Sequence, residues 1–204
     1  MTMPKPFSQA CENNKQVILD HIRHAFPAGS RVLEIGSGTA QHVCHFAQAL
    51  PDVQWLPSDM PANLATVQAG LADNTLPNIA RPIALDVAQQ PWPVDTVDGL
   101  FSANTLHIMS EQHVECFFRG VAQVLKPGGR LCVYGPFKYR GEFTTPSNAR
   151  FDLWLRERDP RSGVRDVERV DALARAAGLV LRADHAMPAN NQLLMWERTA
   201  SGTP

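Results

Sequence analysis

No stretch of the chain carries the roughly 18 consecutive apolar residues that a membrane-spanning helix needs, so no membrane-embedded role is expected. Charge of one sign is not in excess either. Nineteen lysines and arginines face 20 aspartates and glutamates, for a formal net charge of −1. A protein that grips nucleic-acid phosphates normally carries a marked basic surplus, so near-neutrality argues against such a partner. The four cysteines, Cys11, Cys44, Cys116 and Cys132, include no C-x-x-C pair. Neither a zinc site nor a disulfide framework has that spacing, so no metal is expected and the cysteines read as small, mostly buried apolar residues. The opening residues, Met1-Thr2-Met3-Pro4-Lys5-Pro6-Phe7, lack the basic-then-apolar build of a signal peptide, and the expectation is a cytoplasmic protein. Repeats and low-complexity linkers are absent as well. With 204 residues and 44% hydrophobic content, the chain is expected to form one globular domain over residues 1–204, as a monomer or homodimer.

What the chain does have is alternation of short apolar runs with helical periodicity. Glu12 to Ala25 places Val17, Ile18, Leu19 and Ile22 on one helical face. Strands are expected at residues 31–36, at 53–59, within 79–87, at 97–102 and at 130–135, with helices over 40–50, 61–71 and 111–125. A helix over 167–177 precedes two further strands, 180–186 and 192–198. Only Met187-Pro188-Ala189-Asn190-Asn191 joins that last pair, too short for a helical crossover, so the pair is expected to be an antiparallel hairpin. The fold class is therefore α/β: a Rossmann-like, seven-stranded, mostly parallel sheet ending in an antiparallel hairpin, with helices on both faces. Ligands of such sheets lie at the carboxyl ends of the strands.

One turn carries the strongest motif, Val32-Leu33-Glu34-Ile35-Gly36-Ser37-Gly38-Thr39-Ala40, at the end of the first strand. Gly36 and Gly38 supply permissive backbone angles and bare backbone for a ligand to approach. A dinucleotide fingerprint needs a glycine where Gln41 stands. An acidic residue two positions before the first glycine, here Glu34, is instead typical of S-adenosylmethionine (SAM) sites. Asp59 ends the second strand 21 residues past Gly38, placed to accept from both ribose hydroxyls, with a helix N-cap as its alternative role. Asp86 ends the third strand, where a carboxylate can accept from an adenine amine. Asn104 and Thr105 follow the fourth strand, where the methionine end of the cofactor would lie. Ala40 takes the last position of the glycine turn, where a methyl is tolerable once the helix has begun. Trp92, in the proline-rich stretch 88–96, is expected in the core rather than beside the adenine.

Across nearly its whole length the chain resembles class I SAM-dependent methyltransferases. More narrowly it resembles the methyltransferase-like 26 family (domain of unknown function 938). The resemblance rests on residues 7–15, on 32–39 with Gln41-His42, on 101–110, and on Tyr134-Gly135-Pro136-Phe137, Ser147-Asn148, Phe151-Asp152, Arg158-Asp159-Pro160, Arg165-Asp166 and residues 187–191. It implies SAM as cofactor and methyl transfer as activity, without naming an acceptor.

Methyl transfer needs alignment above all, which can lower a barrier by ~7–11 kcal/mol. A general base adds ~10²–10⁴-fold where the acceptor is protonated. His107, just past the fourth strand, is the leading base candidate; a hydrogen bond to its own loop is the alternative. Tyr134, ending the fifth strand, is a second candidate for substrate contact through its hydroxyl. Asn13 and Asn14 precede the expected first helix and are candidates for closing over the cofactor. Residues 138–182 hold ten basic and seven acidic groups, nine of the ten being arginines. Within them, 136–166 reads as a long irregular lid or substrate-binding insertion, with Phe137 as an aromatic contact and Arg150 or Arg165 as a clamp for a carboxylate or phosphate. Asn190 fits turn chemistry or a substrate hydrogen bond. The expected function is methyl transfer to a small molecule. A SAM-binding sensor or scaffold without catalysis, an RNA or protein methyltransferase, and a nicotinamide-dependent Rossmann enzyme are the rival readings.

Overall fold

Ser8 caps the first helix, its hydroxyl accepting from the Cys11 N–H. The structure is a computed structural model and describes residues 5–200. In chain order the elements are α1 (Gln9–Ile22), β1 (Arg31–Ile35), α2 (Gln41–Ala49), β2 (Gln54–Asp59), α3 (Leu64–Leu71), β3 (Ile83–Ala84), β4 (Val97–Ala103), α4 (Glu111–Val124) and β5 (Leu125–Gly135). Then follow β6 (Phe137–Tyr139), β7 (Glu142–Phe143), α5 (Pro146–Arg158), β8 (Arg165–Asp166), α6 (Val167–Ala176), β9 (Leu179–Met187) and β10 (Asn191–Arg198).

Seven strands form one sheet in the order β3-β2-β1-β4-β5-β10-β9. The first five run parallel; β10 is antiparallel to both β5 and β9. This is the expected fold. Side chains alternate between its two faces, as the period of a strand demands. Val32, Trp55, Phe101 and Met195 join α1, α2 and α3 in one apolar core. Leu33, Leu56, Leu100 and Trp196 join α4 and α6 in the other. Trp92 packs in that second core, as expected, where a Cβ on Gly120 would lie 1.9 Å from its ring. Bare backbone at Gly120 lets the indole pack directly against α4. Among the described residues no helix is long and apolar enough to cross a membrane.

Three local expectations need correction. Helix α1 starts at Gln9, so Asn13 and Asn14 lie within the helix rather than ahead of it. Ala40 is not yet helical: it sits in the left-handed region (φ 61°) as the N-cap of α2, so its methyl occupies a conformation that favours glycine. The segment 136–166 is not irregular. It contains a small sheet, β7-β6-β8, and the whole of α5, which Thr145 caps and Pro146 starts.

Candidate active site

The β1–α2 turn is shaped by Gly36 (φ 77°) and Gly38 (φ 53°). A Cβ on Gly36 would meet the Thr105 methyl at 2.5 Å, so glycine is also what lets β1 and the post-β4 loop approach. On the other side a Cβ on Gly70 of α3 would lie 2.2 Å from the Thr39 carbonyl oxygen. The turn is thus wedged between two elements. Beneath it lies Glu34, only 1% exposed, accepting from the Ser37 hydroxyl at 2.6 Å. Burial pushes the Glu34 carboxyl up to about 7, against the Ser37 hydrogen bond, with the Asp59 charge adding to the rise. Glu34 braces the turn from below and lies outside the cavity lining.

Asp59 ties the turn to β2: its Oδ2 accepts from the Gly38 N–H at 2.8 Å, and its Oδ1 accepts from Met60 N and Asn63 Nδ2. A carboxylate offers about four lone-pair sites, so one remains for a ligand. Asp86 caps a turn through Ala88 N and lies outside the cavity lining. Asn104 (φ 58°) lines the cavity, its N–H donating to the Tyr134 carbonyl at 2.8 Å. Asparagine tolerates the left-handed backbone there. Thr105 lines it too; since Ser102 Oγ donates to the Ile35 carbonyl, the Thr105 hydroxyl donates to Ser102 Oγ at 2.6 Å.

These groups open onto a cavity of about 1000 Å³ that runs from the glycine turn past Asn104 to the inner face of α5. His107 is among its lining residues. The ring is 7% exposed, makes no hydrogen bond among the described residues, and packs edge-on against Phe151 (5.4 Å, 68°). It is the His107 carbonyl, not the ring, that engages the backbone, accepting from Gly163 N at 2.8 Å. Burial, then the nearby Arg165 charge, hold His107 down to about 4, so it is neutral at physiological pH. His42, one residue past Gln41, lines the same cavity and is also pushed down to about 4, chiefly by burial. Its Nε2 is 2.6 Å from the Oδ1 of buried Asn14; in the neutral ring that nitrogen must carry the proton, because an amide oxygen only accepts.

Several sequence candidates lie elsewhere. Arg165 is 5% exposed and lies outside the cavity lining, with four of its five N–H donors spent on the carbonyls of Leu106, Met109 and Arg161 and on Glu111. Arg150 is exposed on α5 and outside the lining. Phe137, 1% exposed, belongs to the core. Tyr134, 3% exposed, packs in the opposite core with its hydroxyl beside the Asn14 and Asn191 amides; burial raises its pKa. Asn13 faces solvent and accepts from Gln9. Asn190 (φ 59°) offers its carbonyl to Asn148, and it is Asn191 that reaches the cavity. The sequence reasoning missed Asn63, Asn148 and Ser162 as lining residues. For Asn148 the available signal was its spacing, three residues before Phe151 on one helical face.

The comparisons agree with this architecture. A family model described as "Protein of unknown function (DUF938)" matches residues 5–198. Among curated proteins, the chain is 30% identical over 123 residues to the ubiquinone/menaquinone biosynthesis C-methyltransferase UbiE of Pseudomonas fluorescens, covering 59% of this chain and 44% of that protein. Among solved structures, it is similar to an O-methyltransferase family protein from Burkholderia thailandensis, with a TM-score of 0.81 and 14% identity over 95% of this chain and 57% of that one. Human N-acetylserotonin methyltransferase, solved in complex with SAM, superposes with a TM-score of 0.79 and 15% identity over 94% of this chain and 53% of that one. The chain thus spans under half the length of the curated relative and just over half that of the solved ones. It has the fold of the SAM-dependent methyltransferases, and it belongs to the family described as "Protein of unknown function (DUF938)".

Proposed function

We propose that the chain catalyses SAM-dependent methyl transfer to a small-molecule acceptor. The observation that carries this reading is the coupling of the glycine turn to Asp59, open to a cavity that continues to a neutral, unpartnered His107. The residues present suit the cofactor. Bare backbone at Gly36 and Gly38 admits close approach, Asp59 keeps one acceptor site for a ribose hydroxyl, and Asn104 and Thr105 border the methionine end. The cofactor, when bound, supplies a methyl group on a positively charged sulfur, a good leaving group that needs no covalent help from the protein. The chain contributes orientation and exclusion of water. His107 has its lone pair free throughout the physiological range and serves as acceptor for a proton leaving the substrate. The 136–166 segment, through α5, forms the outer wall of the acceptor compartment and is the part of the chain that selects the substrate.

Isothermal titration of SAM, its demethylated product and NAD into the purified protein tests this. Saturable binding of the first two, weakened ~10–100-fold by Asp59→Ala, is expected, since a charge-assisted hydrogen bond is lost. Saturation by NAD alone would refute the reading. SAM saturation with no demethylated product from any acceptor would favour a sensor or scaffold instead.

A further inference from the structure

The half of the cavity beyond Asn104 is walled by Pro136, Phe151, Leu155 and Trp154, with three buried polar side chains among them: Ser162, whose hydroxyl is spent on the Ile108 carbonyl, His107 and Asn148. Asn148 is 4% exposed. Both hydrogens of its amide are committed, to Thr144 Oγ1 and to the Asn190 carbonyl, each at 2.9 Å. A carbonyl can only accept, so the amide cannot be flipped, and its Oδ1 is left as an acceptor with no partner among the described residues. His107 likewise has an unpartnered ring, held neutral. Two nine-tenths-buried groups therefore face one apolar compartment with acceptor capacity unspent, which a ligand must satisfy or leave at a cost.

No cation meets them there. The Arg165 guanidinium is turned onto backbone carbonyls and Glu111, Arg156 onto Asp152, and Arg161 onto Asp159. Arg158 stays at the rim, 4.6 Å over the Trp154 ring. An anionic group brought inward would meet the Asn148 oxygen and no counter-charge. The wall itself is aromatic: the rings of Phe151 and Trp154 stack face to face as a two-ring slab, 5.6 Å between centroids and 19° between planes, with the His107 ring T-shaped against Phe151. Slabs of this kind favour planar partners.

We propose that the acceptor is an uncharged hydroxylated aromatic molecule that lies along the Phe151 wall, presents the hydroxyl to be methylated to His107, and offers a second hydrogen-bond donor to Asn148 Oδ1. The proposal rests on the methyl-transfer reading and narrows its substrate. The oxygen–methyl bond forms as the sulfur–methyl bond breaks with its electron pair left on sulfur, and the hydroxyl proton passes to the His107 lone pair.

The test uses the full chain, with and without the demethylated cofactor, and four probes: naphthalene, 2-naphthol, 2,3-dihydroxynaphthalene and 2-naphthoate. Calorimetry or ligand-observed NMR reads their affinities. Each added hydroxyl is expected to tighten binding about tenfold, with naphthoate weaker than naphthol. His107→Phe is expected to erase the naphthalene-to-naphthol step, and Asn148→Leu only the naphthol-to-diol step. Should Asn148→Leu fail to fold, the order of the four probes on the unaltered protein still decides. Naphthoate binding as tightly as naphthol, or no binding of the naphthols while the demethylated cofactor saturates, overturns the acceptor class and leaves methyl transfer standing. Failure of the cofactor to bind overturns methyl transfer, and the probe order in its absence then judges the acceptor class separately.

Discussion

Replacing Glu34 with glutamine isolates what a buried carboxyl under the glycine turn does to stability. Glu34 is 1% exposed, and its pKa rises from an ordinary value of 4.5 to about 7, mainly through burial. A folded-state pKa above the unfolded one means that the folded protein holds a proton the unfolded chain has released. The stabilisation is complete below about pH 4.5 and is lost as pH rises through about 7. Integrating the linkage between roughly pH 5 and pH 8, Glu34 costs the wild type about 2.5 kcal/mol. His42 and His107 act oppositely: held down to about 4, they add stability as pH climbs from about 4 toward 6.5. Those two contributions are shared by both proteins and cancel in the comparison. The glutamine retains an acceptor for Ser37 Oγ, but its new amide hydrogens can cost ~1–3 kcal/mol if unsatisfied, an offset independent of pH. The informative quantity is therefore the change in the gap. Urea unfolding should show Glu34→Gln gaining about 2.5 kcal/mol on the wild type between the two pH values, with equal m-values. Curves that stay parallel within ~0.5 kcal/mol would mean that Glu34 is already ionised in the folded state, refuting the argument from burial.

Gly120→Ala would drive a methyl to within 1.9 Å of the Trp92 ring. Overpacking should outweigh the gain in helix propensity and destabilise by about 2 kcal/mol, read by thermal unfolding with a shift in tryptophan emission. Gly70→Ala meets the Thr39 carbonyl at 2.2 Å, backbone with no flexible end to yield. It should displace the β1–α2 turn and weaken SAM binding more than it lowers the melting temperature, and intact affinity by calorimetry would count against the wedge. Arg165→Met strips four partners from one buried guanidinium and should cost ~3 kcal/mol or more. NMR titration should also show the His107 pKa rising from about 4 but staying below 6.5, because burial remains the larger cause, while Arg165→Lys leaves it low.

Features that depend on neighbours in the chain were legible in the sequence. The alternation of strand and helix, the hairpin at Met187–Asn191 and the Gly36–Gly38 turn all follow from local periodicity or backbone demand, and the sheet order realises them. Roles set by contacts distant in sequence were not. Glu34 carries the right spacing to touch a ligand, yet burial under Ser37 turns it into a brace. Arg165 is a sensible anion clamp by charge alone, but three of its four partners lie 54 to 59 positions away, in the loop after β4 and at the start of α4. The glycines at 70 and 120 look like weak points of helices until the elements they admit, the Thr39 backbone and the Trp92 ring, are brought beside them. Asn148 is the sharpest case. Its significance lies in which of its atoms is left over, and that emerges only once Thr144 and Asn190 have taken the others.

The arginine excess of residues 138–182 follows the same logic and changes what the segment can do. Five of its ten cations are committed to protein acceptors: Arg165 to the 106–109 loop and Glu111, Arg156 to Asp152, Arg161 to Asp159, Arg169 to Glu115 of α4, and Arg175 to Asp171. Around them the backbone is latched as well. Gly163 N donates to the His107 carbonyl, Ser162 Oγ to the Ile108 carbonyl, and Val164 N to Asp152 Oδ1. Gly163, Ser162 and Arg165 thus fasten the segment to the loop that carries His107, so the two are expected to move as one. On the proposed methyl-transfer reading, specificity on this wall comes from fixed shape and from leftover acceptors such as Asn148 Oδ1, since these five arginines are already occupied in building it.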